Sequence, residues 1–335
     1  MHTSRLLIAL GALAISGWSQ PSAGVAGPVT GFIFDAQLGA VRPMLGLPGA
    51  AYLGKGVATG LDLASVAPDG SAALAVRRGG KLVLYRSLRN ATPVALAVAG
   101  AIDGADRFAW AASDDAASAA AIYCSRTGQA QILTSLAPSP AAAAPIDLSG
   151  LPGQVTVLAF DGLRLIVGVA SSDSGGIYLA GASSAIQRIA PAASPSAIVV
   201  AGSSLYFADN QSQQIFQVQN YAATPAAVLF ANDSGINSPA GLQVSVDGKR
   251  LYVANAGSRT LAVYDIPSRA PVQNLDLNFT PTRLDRFGDA SVFLLNGSGQ
   301  GPLYVARDGG AGKAAVFFVP SPPKPRPRPR PAHLG

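Results

Sequence analysis

The chain has 335 residues, with 24 Lys plus Arg against 18 acids, every one of them aspartate. Charged residues make up 13%, about half the roughly 25% of ordinary soluble domains. With 37 Gly, 25 Pro and no glutamate, the composition works against helix, since Glu is a strong helix former while Gly, Pro and Asp favour turns. A helical bundle and a doubly wound α/β enzyme are therefore disfavoured.

The formal charge of +6 is carried by the ends. Arg5 lies in the N-terminal segment, and Lys324, Arg326, Arg328 and Arg330 lie in a C-terminal stretch. Removing these five leaves 24 − 5 = 19 basic residues against 18 aspartates, a net of +1. Nucleic acid needs a basic face on the folded body, so it is not an expected partner. The two histidines, His2 and His333, are also terminal. A Ser-His-Asp or Cys-His arrangement, or a His-ligated metal, cannot be assembled within the body. The single cysteine, Cys124, has no disulfide partner within the chain and is expected to be a small buried apolar residue.

In chain order, Leu6 to Ile15 is a ten-residue apolar run behind His2 and Arg5. Small and polar residues follow it to Ala26. The pattern is that of a secretory signal over residues 1–26, and the run is too short to span a bilayer. An uncleaved anchor is the competing reading. The expected mature protein is exported: secreted, periplasmic or cell-surface. Residues 27–319 form the body, and 320–335 alternate proline with cations. That tail favours extended polyproline II. It is read either as a solvated spacer or as a contact to an anionic surface through Lys324, Arg326, Arg328 and Arg330.

The body is repetitive. A hydrophobic–aromatic pair recurs as Ile33-Phe34, Leu84-Tyr85, Ile122-Tyr123, Ile177-Tyr178, Ile215-Phe216, Val263-Tyr264 and Leu303-Tyr304, at a mean interval of 45 residues. All but the first follow a turn signal: Asp69-Gly70, Asp103-Gly104, Asp161-Gly162, Gly202-Ser203, Asp247-Gly248 or Gly288-Asp289. Such pairs suit two-residue hairpin turns. One unit reads clearly as four strands: 241–246, 251–255, 260–265 and 271–277. Four antiparallel strands every 40–45 residues or so is the arithmetic of a β-propeller blade. The expected fold is all-β, with seven blades favoured and six as the alternative. Gly31 to Gly46 supplies two strands of a fragmentary unit, and Ala137 to Pro145 reads as an exposed low-complexity loop.

Leu205 to Asn210 aligns with Leu251 to Ala256 at an offset of 46. The run Val246-Asp247-Gly248-Lys249-Arg250-Leu251-Tyr252-Val253-Ala254-Asn255, continuing to Val263-Tyr264-Asp265, resembles a YVTN-type propeller repeat. Leu205-Tyr206-Phe207-Ala208-Asp209-Asn210, with Ile215 and Val218, resembles an NHL-type repeat. The likeness is close over residues 196–265 and loose elsewhere. It implies blade architecture; propellers of this kind serve as enzymes, sensors and scaffolds alike. Propeller lactonases and gluconolactonases would need a Glu or His constellation, which this body lacks.

In propellers of the resembled kind, the loops from second to third strand crowd one face. Assigned to that set here are Arg77 and Arg78, Asp114 and Asp115, Asp173, Asp209, and Asn255 with Arg259. Converging, they would bind a small polar ligand or a peptide, and their oxygens would suit Ca²⁺. Asp and Asn also end strands by bonding nearby backbone, which is the commoner use of them at turns. The expected function is a secreted, non-catalytic, monomeric propeller binding a protein or envelope component on one face. The alternative is an exported hydrolase or lyase with an Asp- or metal-centred channel site.

Overall fold

Alternating apolar residues and positive-φ glycines build the body from hairpins. Gly70, Gly162, Gly202, Gly248 and Gly288 have φ of 71°, 100°, 60°, 70° and 69°, and each joins the first two strands of a sheet. The preceding aspartates tighten these turns: Asp69, Asp161 and Asp247 Oδ1 accept the backbone N–H two residues on. The hydroxyl of Ser245 and the N–H of Lys249 hold the Asp247 carboxyl below its usual range.

The structure is a computed structural model and describes residues 28–111, 118–136, 139–181, 184–298, 301–310 and 313–320, with only the backbone of 289–291. The N-terminal segment, Asp114, Asp115 and the tail cations lie outside these residues. Seven antiparallel sheets follow one another along the chain, and the described residues contain no α-helix. Blade 1 has Val29–Asp35, Ala40–Leu45 and, sharing the third position, Tyr52–Leu53 and Ala58–Thr59. Blade 2 has Leu61–Val66, Ala72–Arg77, Leu82–Arg86 and Val94–Ala97. Blade 3 has Arg107–Trp110, Ala120–Cys124, Gln129–Thr134 and an outer position divided between Ala141–Ala142 and Ile146–Asp147. Blade 4 has Gln154–Phe160, Leu165–Ala170, Gly176–Gly181 and Ser184–Pro191. Blade 5 has Pro195–Ala201, Ser204–Asp209, Gln214–Gln219 and Ala226–Ala231. Blade 6 has Pro239–Val244, Arg250–Asn255, Thr260–Asp265 and Pro271–Asp276. Blade 7 has Asp285–Phe287, Asp289–Leu294, Leu303–Asp308 and Ala314–Val319.

These sheets close into a seven-bladed β-propeller, and the packing shows it. Each of seven buried apolar clusters draws residues from two adjacent blades, one cluster for every interface, including blade 7 against blade 1. The recurring aromatics serve this packing: Tyr85, Tyr123, Tyr178 and Tyr264 are buried. Polar links join neighbouring inner strands. Trp110 Nε1 donates to Ser65 Oγ (3.0 Å), Thr156 Oγ1 to the Pro195 carbonyl (2.6 Å), and Ser196 Oγ to the Pro239 carbonyl (2.6 Å). Blades 7 and 1 meet without sharing a sheet. The Phe287 ring fills the space over Gly31, where a Cβ would stand 2.8 Å from it, and Ser298 Oγ donates to the Phe34 carbonyl at 2.8 Å.

Blade 3 departs from the expected phasing. Ile122-Tyr123 lies on its second strand, whereas in blades 2, 4, 5, 6 and 7 the pair marks the third. Asp103-Gly104 is not a hairpin but part of the crossover into blade 3, with the Gly104 N–H bonded to the Gly80 carbonyl; a positive-φ glycine fits either kind of turn. Arg107–Trp110 and Ala120–Cys124 are thus the first and second strands of blade 3, and Asp114 and Asp115 fall in the stretch outside the described residues. The Ala137–Pro145 segment, read as a loop, contributes Ala141–Ala142 to the edge of blade 3, pairing with Leu133 and Thr134. Cys124 is fully buried.

Candidate functional site

The polar residues that end second strands split into two kinds. Asp209 and Asn255 occupy equivalent ends in blades 5 and 6, and both are buried. Asp209 Oδ1 accepts the N–H groups of Ser194 (2.9 Å) and Gln211 (3.0 Å), and Oδ2 accepts that of Ala193 (3.1 Å). Asn255 Oδ1 accepts the Asn237 N–H at 3.2 Å, and its amide donates to Thr260 Oγ1 at 3.3 Å. Each clamps the crossover by which the chain enters its blade. Their polar atoms are spent on backbone and, for the Asn255 amide, on Thr260, so these two expected ligand groups are structural anchors. Replacing Asp209 by alanine should cost about 1–3 kcal/mol, because three N–H donors lose their acceptor. Chemical denaturation checks this, and Asp209→Asn should retain part of the loss by keeping one acceptor oxygen.

Arg77 ends the second strand of blade 2 and donates to Tyr85 Oη through Nε at 3.0 Å. Arg78 and Arg259 are exposed. The Arg259 carbonyl accepts the Leu277 N–H at 2.8 Å, and its φ is 54°. Asp173 is exposed on the second-to-third-strand loop of blade 4.

Of the expected residues, the structure brings Asp173 and Asp209 to one place. Both line a groove of about 280 Å³ between blades 4 and 5, together with Ser171, Ser172, Arg188, Ser212 and Phe216. Arg77 and Arg78 belong to blade 2, and Asn255 and Arg259 to blade 6; none of these four lines the groove. None of the groove's lining residues lies on an inner strand. Its walls are the second-to-third-strand loop and outer strand of blade 4, the crossover into blade 5, and the second and third strands of blade 5 with the loop between them. Among the described residues no three His, Cys, Asp or Glu side chains group as a metal ion would require.

Arg188, Ser171 and Ser212 were not legible as site residues. Arg188 sits on the outer strand of blade 4 and reaches back over the loop, where Nη2 donates to the Gly175 carbonyl. A Cβ on Gly176 would stand 2.6 Å from Arg188 Nε, so the guanidinium lies where only glycine leaves room. The adjacent pair Gly175-Gly176 was the available signal, since glycine within a strand marks a close approach. Phe216 forms an apolar wall, stacked on the fully buried Phe207 at 5.0 Å and 15°.

Neither a family model nor a characterised protein sequence matches the chain. Solved structures do match it in fold. A Lactobacillus plantarum protein is similar at 16% identity, covering 88% of this chain and 96% of its own, with a TM-score of 0.64. A candidate 6-phosphogluconolactonase from Bacteroides uniformis aligns at 13% identity over 88% and 96%, with a TM-score of 0.60. Another from Bacteroides fragilis aligns at 12% identity over 88% and 95%, with a TM-score of 0.58. At such identities the likeness is one of fold alone. It supports a β-propeller, while the likeness to YVTN- and NHL-type repeats rests on the residues quoted above.

Proposed function

We propose that the chain is an exported, non-catalytic β-propeller that binds a ligand or an envelope protein at the groove between blades 4 and 5. The observation that carries this reading is the state of the polar groups. Asp209 and Asn255 are bonded into the framework, while the exposed Asp173 and Arg188 stand on the rim of the groove. An open cleft with an aromatic wall and a polar rim suits recognition. The apolar run Leu6 to Ile15 supports export, and the proline–cation tail supports a second, electrostatic attachment to an anionic surface.

The competing reading, a hydrolase or lyase, draws on the fold shared with the candidate 6-phosphogluconolactonases. One experiment separates the two. The wild-type chain, a Ser172→Trp variant that fills the groove, and a chain lacking 320–335 are immobilised against envelope extract of the producing cell. In parallel, 6-phosphogluconolactone hydrolysis is assayed. The expected result is a partner retained by the wild type and lost with Ser172→Trp, with no hydrolysis above the uncatalysed rate. The tail deletion should abolish retention on anionic vesicles at low salt and leave the partner bound. Lactone turnover above the uncatalysed rate, or identical capture by the wild type and Ser172→Trp, would overturn the proposal.

A further inference from the structure

Resting on the reading of the groove as a binding site, we infer that its ligand is a free α-amino acid with an apolar or aromatic side chain. The described ion pairs are Arg42–Asp35, Lys81–Asp103, Arg164–Asp161, Arg250–Asp308 and Arg283–Asp285. Neither Asp173 nor Arg188 belongs to any of them, nor do they pair with each other, although both line one cleft. Two opposite charges held on one rim without meeting are suited to a molecule that carries both charges itself.

The chemistry of each group assigns its half of the ligand. Arg188 is held by one bond, Nη2 to the Gly175 carbonyl, while Nε and Nη1 bond no protein acceptor among the described residues. A planar guanidinium fork takes a carboxylate through two parallel N–H donors. Asp173 accepts no hydrogen bond from the described protein and is free to take an ammonium group. Asp209 does not compete for that ammonium, because backbone N–H groups occupy both of its oxygens. Phe216 offers a ring edge or face to an apolar side chain. The cleft's volume of about 280 Å³ lies at the lower bound of roughly 300 Å³ for sites of drug-sized ligands, which suits one small molecule.

Full-length protein is titrated with L-phenylalanine, N-acetyl-L-phenylalanine and L-phenylalanine methyl ester, using calorimetry or amide chemical shifts. Acetylation removes the ammonium, and esterification removes the carboxylate. The wild type should bind the free amino acid at least tenfold more tightly than either capped form. Asp173→Asn should bind the free form about tenfold more weakly and no longer discriminate against the acetylated one. Arg188→Gln should likewise stop discriminating against the ester. Both side chains are exposed, so an unchanged thermal midpoint verifies that each variant is folded. Equal binding of the three probes, no binding of L-phenylalanine up to 10 mM, or discrimination that survives both substitutions would overturn the inference. The two readings fail separately: if none of the three probes binds but Ser172→Trp still abolishes capture of an envelope component, the groove is the binding site and only the amino-acid assignment falls.

Discussion

Replacing Arg42 by leucine should destabilise the propeller by about 3–5 kcal/mol, the usual cost of stripping one partner from a buried ion pair. Arg42 and Asp35 meet at 2.8 Å, with side chains only 7% and 9% exposed. The guanidinium does more than neutralise the carboxylate. Its Nε donates to the Gly54 carbonyl at 2.8 Å and Nη2 to the Leu53 carbonyl at 3.1 Å. Those carbonyls lie where the third strand of blade 1 is interrupted between Tyr52–Leu53 and Ala58–Thr59. One side chain thus supplies donors that a continuous strand would have supplied from its backbone. Asp35 in turn pairs with Ser298 of blade 7, so the defect falls on the seam that closes the ring.

Equilibrium unfolding in guanidinium chloride measures the loss. Arg42→Lys should fall between wild type and leucine, because an ammonium keeps the charge but not the three-way fork. The double variant Asp35→Asn/Arg42→Leu should be more stable than Arg42→Leu alone, since it no longer buries an uncompensated charge. A leucine variant within 1 kcal/mol of wild type would mean that water reaches Asp35 and that the seam does not depend on the pair.

The fold was legible because a blade is a local object. In blade 6 the first three strands and their turns follow from alternation, an Asp-Gly pair and a polar loop, all within one stretch of chain. The expected strands 251–255 and 260–265 match Arg250–Asn255 and Thr260–Asp265 to within a residue. Blade 3 was misphased because a glycine turn does not reveal which pair of strands it joins. Its crossover Asp103-Gly104 imitates a hairpin. The site was less legible because what decides a polar residue's role lies outside its own strand. Asp209 takes its hydrogen bonds from Ala193 and Ser194 in the preceding crossover. An alignment of repeats places Asp209 and Asn255 together but cannot tell an anchor from a ligand group. Arg188 meets Asp173 in one groove only because the outer strand folds back beside the loop between second and third strands.

The protein should lose stability steeply between about pH 10 and pH 12. Three buried tyrosines set this window. Burial, reinforced by the neighbouring Asp161 carboxylate, pushes the Tyr221 hydroxyl up to about 12. Burial likewise raises Tyr252 and Tyr264, with Asp308 and Asp233 beside them adding to the effect. In the unfolded chain each would ionise near pH 10. A raised folded-state pKa means that the native state keeps a proton the unfolded chain has released. The stabilisation is therefore fully present below pH 10 and is lost as pH rises through the folded pKa. At about 1.4 kcal/mol per pKa unit, Tyr221 alone accounts for roughly 2–3 kcal/mol by pH 12. Thermal midpoints measured from pH 8 to pH 12, alongside tyrosinate absorbance, test this. The expected record is a flat midpoint to about pH 10, then a fall, with the last tyrosinates forming only as the chain unfolds. Tyr221→Phe gives up the 2.9 Å bond to Asp161 and should be less stable at neutral pH, yet lose less between pH 10 and pH 12. If all nine tyrosines ionise together near pH 10 in a chain that stays folded, the interfaces holding these hydroxyls are wetter than the packing of the blades implies.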